Sequence, residues 1–260
     1  MKPIPKHIIQ LLNKKVEQYN HVDFIELDPI SIPHQFTQQQ DIEIAAFFAA
    51  TLAWGNRKSI ITSCKRLLEM MDDSPYDFII NHQPKDLKPF SHRTFNQIDL
   101  THFIGFLHQH YKKEKTLETA FTISMNKKDE NIEEGLNGFH QYLFNPKLFQ
   151  NYPSRTHKHV AAPFKNSACK RLNMFLRWVV RKDEHAVDFG IWKNINTSQL
   201  IIPMDVHVVH VAHQLGLIET TKTNWQAAVS LTNTLKHLDS KDPVKYDYAL
   251  FSLGVVEGLK

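Results

Sequence analysis

Residues 163–182 read PFKNSACKRLNMFLRWVVRK, and this stretch decides how the rest of the chain is interpreted. It opens with turn-forming residues and continues as an apolar segment of helical period, in which Leu172, Phe175 and Val179 share one face. Lys170 lies at the start of the predicted helix. Its side chain is either a solvated charge or a nucleophile. A nucleophilic lysine must be partly desolvated or close to other cations, because a free amine with a pKa of about 10.4 is almost wholly protonated.

A second stretch, IIPMDVHVVHVAHQLGL at 201–217, bears on that choice. Pro203 keeps the chain extended just before a predicted helix at 204–215, and Asp205 falls among the first positions of that helix. An aspartate there is usually an N-cap, which stabilises a helix by about 1 kcal/mol. His207, His210 and His213 follow without a carboxylate at ligand spacing, so we predict no metal site.

The rest of the chain favours an all-α protein. Segments of helical period dominate, and there are only 8 glycines and 12 prolines in 260 residues. Helices are predicted at 4–20, at 224–238 and at 243–254, and Asn173, Arg177 and Arg181 continue the polar face of the helix after Lys170. The most apolar segment, QQQDIEIAAFFAATLAWG at 38–55, is predicted to be a buried helix that ends at Gly55.

Composition excludes several classes of protein. The two cysteines, Cys64 and Cys169, lie far apart and form no CxxC motif, so a cysteine-ligated iron–sulfur cluster or zinc site is excluded. No secretory signal and no apolar run of about 20 residues is visible, which predicts a cytoplasmic protein that does not enter a membrane. The net charge of +4 permits a polyanionic partner but does not require one.

The pairing of KNSACKRLNMFLRW with PMDVHVVHVAHQLGL resembles the helix-hairpin-helix–GPD superfamily of base-excision DNA glycosylases. In that superfamily a Pro-Gly-Val-Gly-x-Lys hairpin precedes a helix, and a segment with a catalytic aspartate follows. The resemblance assigns the catalytic lysine to Lys170 and the catalytic aspartate to Asp205. Their interval is longer than in the endonuclease III branch and is similar to that of the archaeal 8-oxoguanine glycosylases.

The hairpin itself departs from the superfamily pattern. Asn166 and Ala168 take the places of the two glycines, whose backbone N–H groups approach a DNA phosphate. Asparagine tolerates the left-handed conformation better than alanine does. Lys165 and the nearby RTHKH segment could replace part of the lost phosphate binding electrostatically.

The segment FFAATLAWGNRKSI resembles the glycosylase helix whose end carries a residue that fills the gap left by an extruded base. Asn56 takes the place of that wedge glutamine, with Trp54 beside it. A polar wedge next to an aromatic ring suits base flipping, which costs a few kcal/mol. The alternative is an ordinary helix end in which Gly55 is the cap and Trp54 packs against its neighbours.

The chain as a whole resembles the domain-of-unknown-function 2400 family more closely still. The blocks that carry this resemblance are SACKRLNMFLRWVVRKDEHAVDFGIW, DPVKYDYALFSLGV and EIAAFFAATLAWGNRKSI, and together they cover most of residues 40–256.

These resemblances imply an all-α, two-lobed fold like that of the helix-hairpin-helix DNA glycosylases. Lobe A would comprise about 40–182, with the hairpin at 163–182, and lobe B about 1–39 plus 183–260. The implied function is base-excision DNA repair with Lys170 and Asp205 as catalytic residues, with or without Schiff-base AP lyase activity. The alternative is a non-catalytic nucleic-acid-binding protein that retains the fold, which the missing glycines favour.

The implied partner is DNA, and no cofactor, metal or protein partner is predicted. The expected DNA contacts are Asn56, Arg57, Lys58, Lys165, Asn166, Ser167, Arg171 and His207. Trp54 and Trp178 are the candidates for a base pocket, since a flipped base ordinarily stacks on an aromatic ring.

Overall fold

The computed structural model describes residues 3–149 and 153–259, and within them the protein is predominantly helical, which confirms the all-α prediction. The α-helices are α1 Lys6–Tyr19, α2 Gln39–Leu52, α3 Arg57–Met70, α4 Pro75–Asn81, α5 Gln97–Tyr111, α6 Thr119–Thr122, α7 Glu133–Leu143, α8 Lys170–Val180, α9 Val206–Gln214, α10 Trp225–Lys236 and α11 Asp247–Phe251. Strands β1 Ser91–His92 and β2 Phe95–Asn96 form an antiparallel hairpin. No helix in the described ranges combines the length and the apolar character needed to cross a bilayer.

The chain divides into two compact units. Unit 1 comprises 1–24, 128–133 and 162–260, and unit 2 comprises 25–127 and 134–161. This division differs from the predicted lobes, because 25–39 belong with unit 2 and the segment 163–182 belongs with the C-terminal helices in unit 1. The physical reason for the second difference is a pair of ion pairs: Arg177 of α8 pairs with Asp247, and Arg181, the C-cap of α8, pairs with Asp242.

Unit 2 is built around α2, which is buried along most of its length. Phe47 stacks on Phe103 of α5 with ring centroids 5.5 Å apart, and it meets Phe139 of α7 edge to face at 5.7 Å. Burying an aromatic side chain of this size stabilises a fold by roughly 2–3 kcal/mol. The fully buried Glu43 carboxylate accepts hydrogen bonds from the Tyr111 hydroxyl at 2.7 Å and the Leu117 amide at 2.8 Å, which satisfies an otherwise costly buried charge.

The predicted end of α2 at Gly55 is wrong. The helix ends at Leu52, and Ala53 is the cap residue. Gly55 lies in the following loop with φ +101°, a conformation that L side chains rarely adopt. Asn56 then caps the next helix, because its side chain accepts a hydrogen bond from the Ser59 amide at 3.3 Å.

Unit 1 buries α8 almost completely, including the face predicted to be polar. Asn173, Arg177 and Arg181 are 0%, 4% and 3% exposed, so these side chains are part of the interior. The helix predicted at 243–254 is also divided. It begins as a 3-10 turn at Pro243–Tyr246, continues as α11 and ends as a π-helix at Ser252–Val256.

Candidate active site

Lys170 and Asp205 meet in unit 1. The Nζ atom of Lys170 lies 2.5 Å from Oδ2 of Asp205, across 35 positions of sequence. Each residue is placed by a helix start: Lys170 is the first residue of α8, and Asp205 is the N-cap of α9. Oδ1 of Asp205 accepts hydrogen bonds from the amides of His207 and Val208, both at 3.0 Å. Oδ1 therefore caps α9, while Oδ2 pairs with Lys170.

Both members of the pair remain accessible. The Lys170 side chain is 33% exposed and the Asp205 side chain 20%, so a substrate atom can reach either group. Burial alone would raise the pKa of the Asp205 carboxyl, but the charge and hydrogen bond of Lys170, helped by the Val208 amide, lower it below its ordinary value. Asp205 therefore presents a fixed negative charge beside an amine.

A buried network of charges continues from this pair along α8. Arg177 forms an ion pair with Asp247 of α11, and its Nε donates to Asp188 at 3.3 Å. The guanidinium also lies 4.3 Å from the centroid of the Tyr248 ring. Burial raises the pKa of Asp247 to about 6, opposed by the positive charges of Arg177 and Lys170 and assisted by the negative charge of Asp205.

Arg181, one turn after Arg177, extends the network. Its guanidinium contacts Asp188 at 2.8 Å, Asp242 at 2.8 Å and Asp183 at 2.5 Å. The Tyr248 hydroxyl donates to Asp188 at 3.1 Å. The sequence did not lead us to predict this network, although two arginines at i, i+4 on an otherwise apolar helix are the available signal for buried partners.

An aromatic ring also lies at the pair. Nζ of Lys170 is 6.0 Å from the centroid of the Phe251 ring, at the end of α11. Phe251 is neither fully buried nor fully exposed. Sequence reasoning missed Phe251, because nothing in its local pattern distinguishes it from a core residue of an amphipathic helix.

The hairpin before α8 keeps part of the predicted geometry. Asn166 has φ +54°, the left-handed conformation expected at the first glycine position. The second left-handed residue is Cys169, at φ +49°, and not Ala168. The Ala168 carbonyl accepts from the Asn173 side chain at 3.0 Å, and the Ser167 hydroxyl accepts from the Cys169 amide at 3.3 Å, so the loop is tied to itself and to α8.

The remaining predicted contacts of unit 1 differ in exposure. Lys165, Asn166 and His207 are exposed, and Ser167 is half-buried. Arg171 is half-buried as well, and burial lowers the pKa of its guanidinium to about 10.

The position of Trp178 in unit 1 contradicts its prediction as a base-pocket residue. Trp178 is fully buried in the core, so the prediction that it forms the base pocket is wrong: no face of the ring is open to a ligand. In the described ranges, no three His, Cys, Asp or Glu side chains are grouped so that they could hold a metal ion.

The other predicted DNA contacts lie in unit 2. Asn56 and Lys58 are exposed, and Arg57 and Trp54 are half-buried. Trp54 lies edge to face with His92 at 5.0 Å and tilted against His159 at 5.7 Å. Of the alternative reading, the packing of Trp54 is observed but the cap at Gly55 is not, because Ala53 caps α2. Asn56 caps α3 and is exposed, so its role as a wedge stays a prediction.

Comparison with known proteins identifies the family to which the chain belongs. No curated protein and no solved structure gives a significant match. A family model does match, over residues 28–256, and that range covers the Lys170–Asp205 pair and the buried network behind it. The predicted relation to this family is confirmed, whereas the resemblance to the glycosylase superfamily stays a prediction. The chain belongs to the family described as "Protein of unknown function (DUF2400)".

Proposed function

We propose that this protein is a base-excision DNA glycosylase that uses Lys170 as its nucleophile. The observation that carries the proposal is the 2.5 Å contact between the Lys170 amine and the Asp205 carboxylate, with both groups part-exposed. The pair brings a potential nucleophile and a stabilising negative charge within reach of one carbon atom. A carboxylate neighbour by itself favours a protonated amine, so Lys170 must lose a proton before it attacks.

In the proposed reaction, Nζ of Lys170 first loses a proton to water and then forms a bond to C1′ of an extruded nucleoside. The C1′–N glycosidic bond breaks, and the base leaves with the bonding electron pair and gains a proton. The C1′–O4′ bond then breaks as O4′ takes a proton from Nζ, which opens the sugar ring and leaves a protonated Schiff base between C1′ and Nζ. Elimination of the 3′ phosphate from this intermediate would supply the AP lyase activity.

Asp205 would act mainly through its charge. A carboxyl whose pKa is lowered is a weak proton acceptor, but it stabilises the positive charge that develops on the sugar as the base leaves. Of the two roles open to a catalytic aspartate, proton acceptor and electrostatic stabiliser, the lowered pKa of Asp205 favours the second.

The ring that would stack on the extruded base is Phe251. It replaces Trp178 in that role, because Phe251 lies beside the Lys170 amine and Trp178 is sealed in the core. The proposed site of unit 1 thus consists of a nucleophile, a carboxylate and an aromatic ring.

The test is a panel of duplexes that contain uracil, 8-oxoguanine, an alkylated base or an abasic site. We expect release of at least one of these bases and, after borohydride is added, a covalent protein–DNA adduct. Lys170→Ala should abolish both, while Lys222→Ala, at an exposed lysine of unit 1 that is not among the expected DNA contacts, should keep the adduct. Tight binding of the panel with neither base release nor adduct would instead support the non-catalytic nucleic-acid-binding protein.

A further inference from the structure

Three segments of unit 2 converge around Trp54. The ring of Trp54 contacts the rings of His92 in β1 and His159. Arg155 donates to the Thr94 carbonyl at 2.9 Å, which ties the segment before His159 to the β-hairpin. These contacts bring the loop before α3, the hairpin and residues 153–159 to one place.

Three cations near Trp54, namely Arg57, Lys58 and Arg93, lie at positions where local structural preferences disfavour them. Arg57 and Lys58 occupy the first turn of α3, where the helix dipole disfavours positive charge, and that turn holds no acidic residue. Arg93 has φ +53° at the tip of the β-hairpin, a conformation that favours Gly or Asn. Its guanidinium reaches back to Gly55, where a Cβ atom would lie 2.6 Å from the arginine Nη1. Such departures from local preference are expected where function requires them.

Arg155 is paired with a carboxylate of this region, since its Nη2 lies 3.5 Å from Oδ2 of Asp99. The carboxylate that these segments bury is Asp99, which is fully buried. It accepts from the Thr156 hydroxyl at 2.7 Å and the Asn96 amide at 3.0 Å, and it lies 3.3 Å from Nε2 of His159. The Arg155 side chain stays 34% exposed despite its pairing with Asp99, and Lys58 and Arg93 are exposed.

Trp54 is half-buried, whereas the other three tryptophans are buried. Trp178, Trp192 and Trp225 are 0%, 2% and 3% exposed. A partly exposed ring close to cations is an arrangement by which proteins hold single-stranded nucleic acid, with bases stacked on the ring and phosphates beside the cations.

We infer that Trp54, Lys58, Arg93 and Arg155 form a surface on unit 2 that binds single-stranded nucleic acid, which we call the Trp54 surface. The ligand is an unpaired stretch of phosphodiester chain, one base of which stacks on Trp54. The inference rests on the proposed function for one point, which is the choice of DNA as the natural ligand. The surface itself requires no chemistry at Lys170.

The test measures binding of an unmodified, fluorescein-labelled single-stranded DNA oligonucleotide by anisotropy, from about 50 to about 200 mM salt. Trp54→Ala should weaken binding roughly 5- to 150-fold, the effect of losing one base–aromatic stack. Arg93→Asn should also weaken binding and reduce the magnitude of the salt slope by about 0.7, as expected for one lost phosphate contact. Because asparagine accepts the left-handed conformation, this variant should melt no lower than the wild type.

Lys113→Gln is the control, since Lys113 is an exposed cation of unit 2 that follows the far end of α5. It should bind like the wild type. The inference is overturned if Trp54→Ala and Arg93→Asn bind the oligonucleotide like the wild type, or if polyglutamate competes as well as unlabelled oligonucleotide. The blunt duplex of the same sequence should bind more weakly, and equal affinity would also contradict stacking on Trp54. Failure of the proposed function has a different signature, since it would leave this binding intact while no base is released.

Discussion

The Lys170 amine and the Asp205 carboxylate lie 2.5 Å apart, although each stands at the start of a different helix. A carboxylate suits a helix N-terminus, and a lysine does not, because the N-terminal end of a helix carries partial positive charge. The helix dipole therefore favours the charge of Asp205 and disfavours the charge of Lys170. The position of Lys170 at the first residue of α8 is explained by its partner and not by helix preference.

Removing Lys170 should change the titration of its partner. In Lys170→Met the pKa of Asp205 should rise, because the neighbouring positive charge is lost while burial, which raises the pKa, remains. Carboxyl chemical shifts measured by ¹³C NMR against pH will report it. Lys165→Met, which changes an exposed lysine, serves as the control and should leave the Asp205 titration in place. An Asp205 that titrates alike in all three proteins would contradict the contact.

The buried charge network should be essential for stability. Arg177→Met leaves Asp247 and Asp188 buried without this cation, and removing one partner of a buried pair costs about 3–5 kcal/mol. Urea unfolding measures the loss in the free energy of unfolding. Lys222→Met, at an exposed lysine, should change stability by less than about 0.5 kcal/mol. A loss for Arg177→Met as small as that of the control would mean that the network does not form.

Asp247 should also make stability depend on pH. Its pKa rises from 3.8 to about 6 on folding, so between these values the folded protein binds the proton more tightly than the unfolded chain does. The contribution of Asp247 to stability is therefore full below about pH 3.8 and is lost as the pH rises through about 6. Asp247→Asn keeps the shape but cannot titrate, and the difference in unfolding free energy between wild type and variant should change across that range. A constant difference would contradict the shift.

Asn56 permits a test that separates capping from a wedge. Asn56→Ala should cost about 1 kcal/mol of stability, whereas Asn56→Ser keeps a capping oxygen and should cost only a few tenths of a kcal/mol. If Asn56 also fills the gap left by an extruded base, Asn56→Ser should retain stability and still lose affinity for DNA with a lesion. Thermal unfolding and anisotropy measured on the same samples distinguish the roles. A serine variant that binds like the wild type would leave Asn56 as a cap alone.

Periodicity predicted the long helices well, as the agreement between 4–20 and Lys6–Tyr19 illustrates. The resemblance to the glycosylase superfamily, and not periodicity, singled out Lys170 and Asp205 as candidate site residues. The local pattern alone shows a lysine after a turn and an aspartate at a helix start. Periodicity could not predict the partners of Arg177, since the aspartates that neutralise it are up to 70 positions away. The same long-range pairing placed α8 with the C-terminal helices and so moved the boundary between the units.

Local patterns also failed where tertiary contacts override them. The segment 243–254 has one helical period, but it changes from 3-10 to α to π geometry. Within the π-helix, Gly254 lies so close to α9 that a Cβ atom would be 3.2 Å from the His207 Cβ. Such close approach depends on two segments that are distant in sequence, so it cannot be predicted from the hydrophobic periodicity of either one.

The most direct test of the central claim is to identify the residue that borohydride links to DNA. The protein is incubated with an oligonucleotide that contains an abasic site or an accepted lesion, reduced, digested and sequenced by mass spectrometry. We predict a single modified peptide in which the deoxyribose remnant is carried by Lys170. A remnant on another lysine or on the terminal amine, or a protein that stays unmodified while wild-type activity is present, would contradict the assignment of Lys170 as the nucleophile.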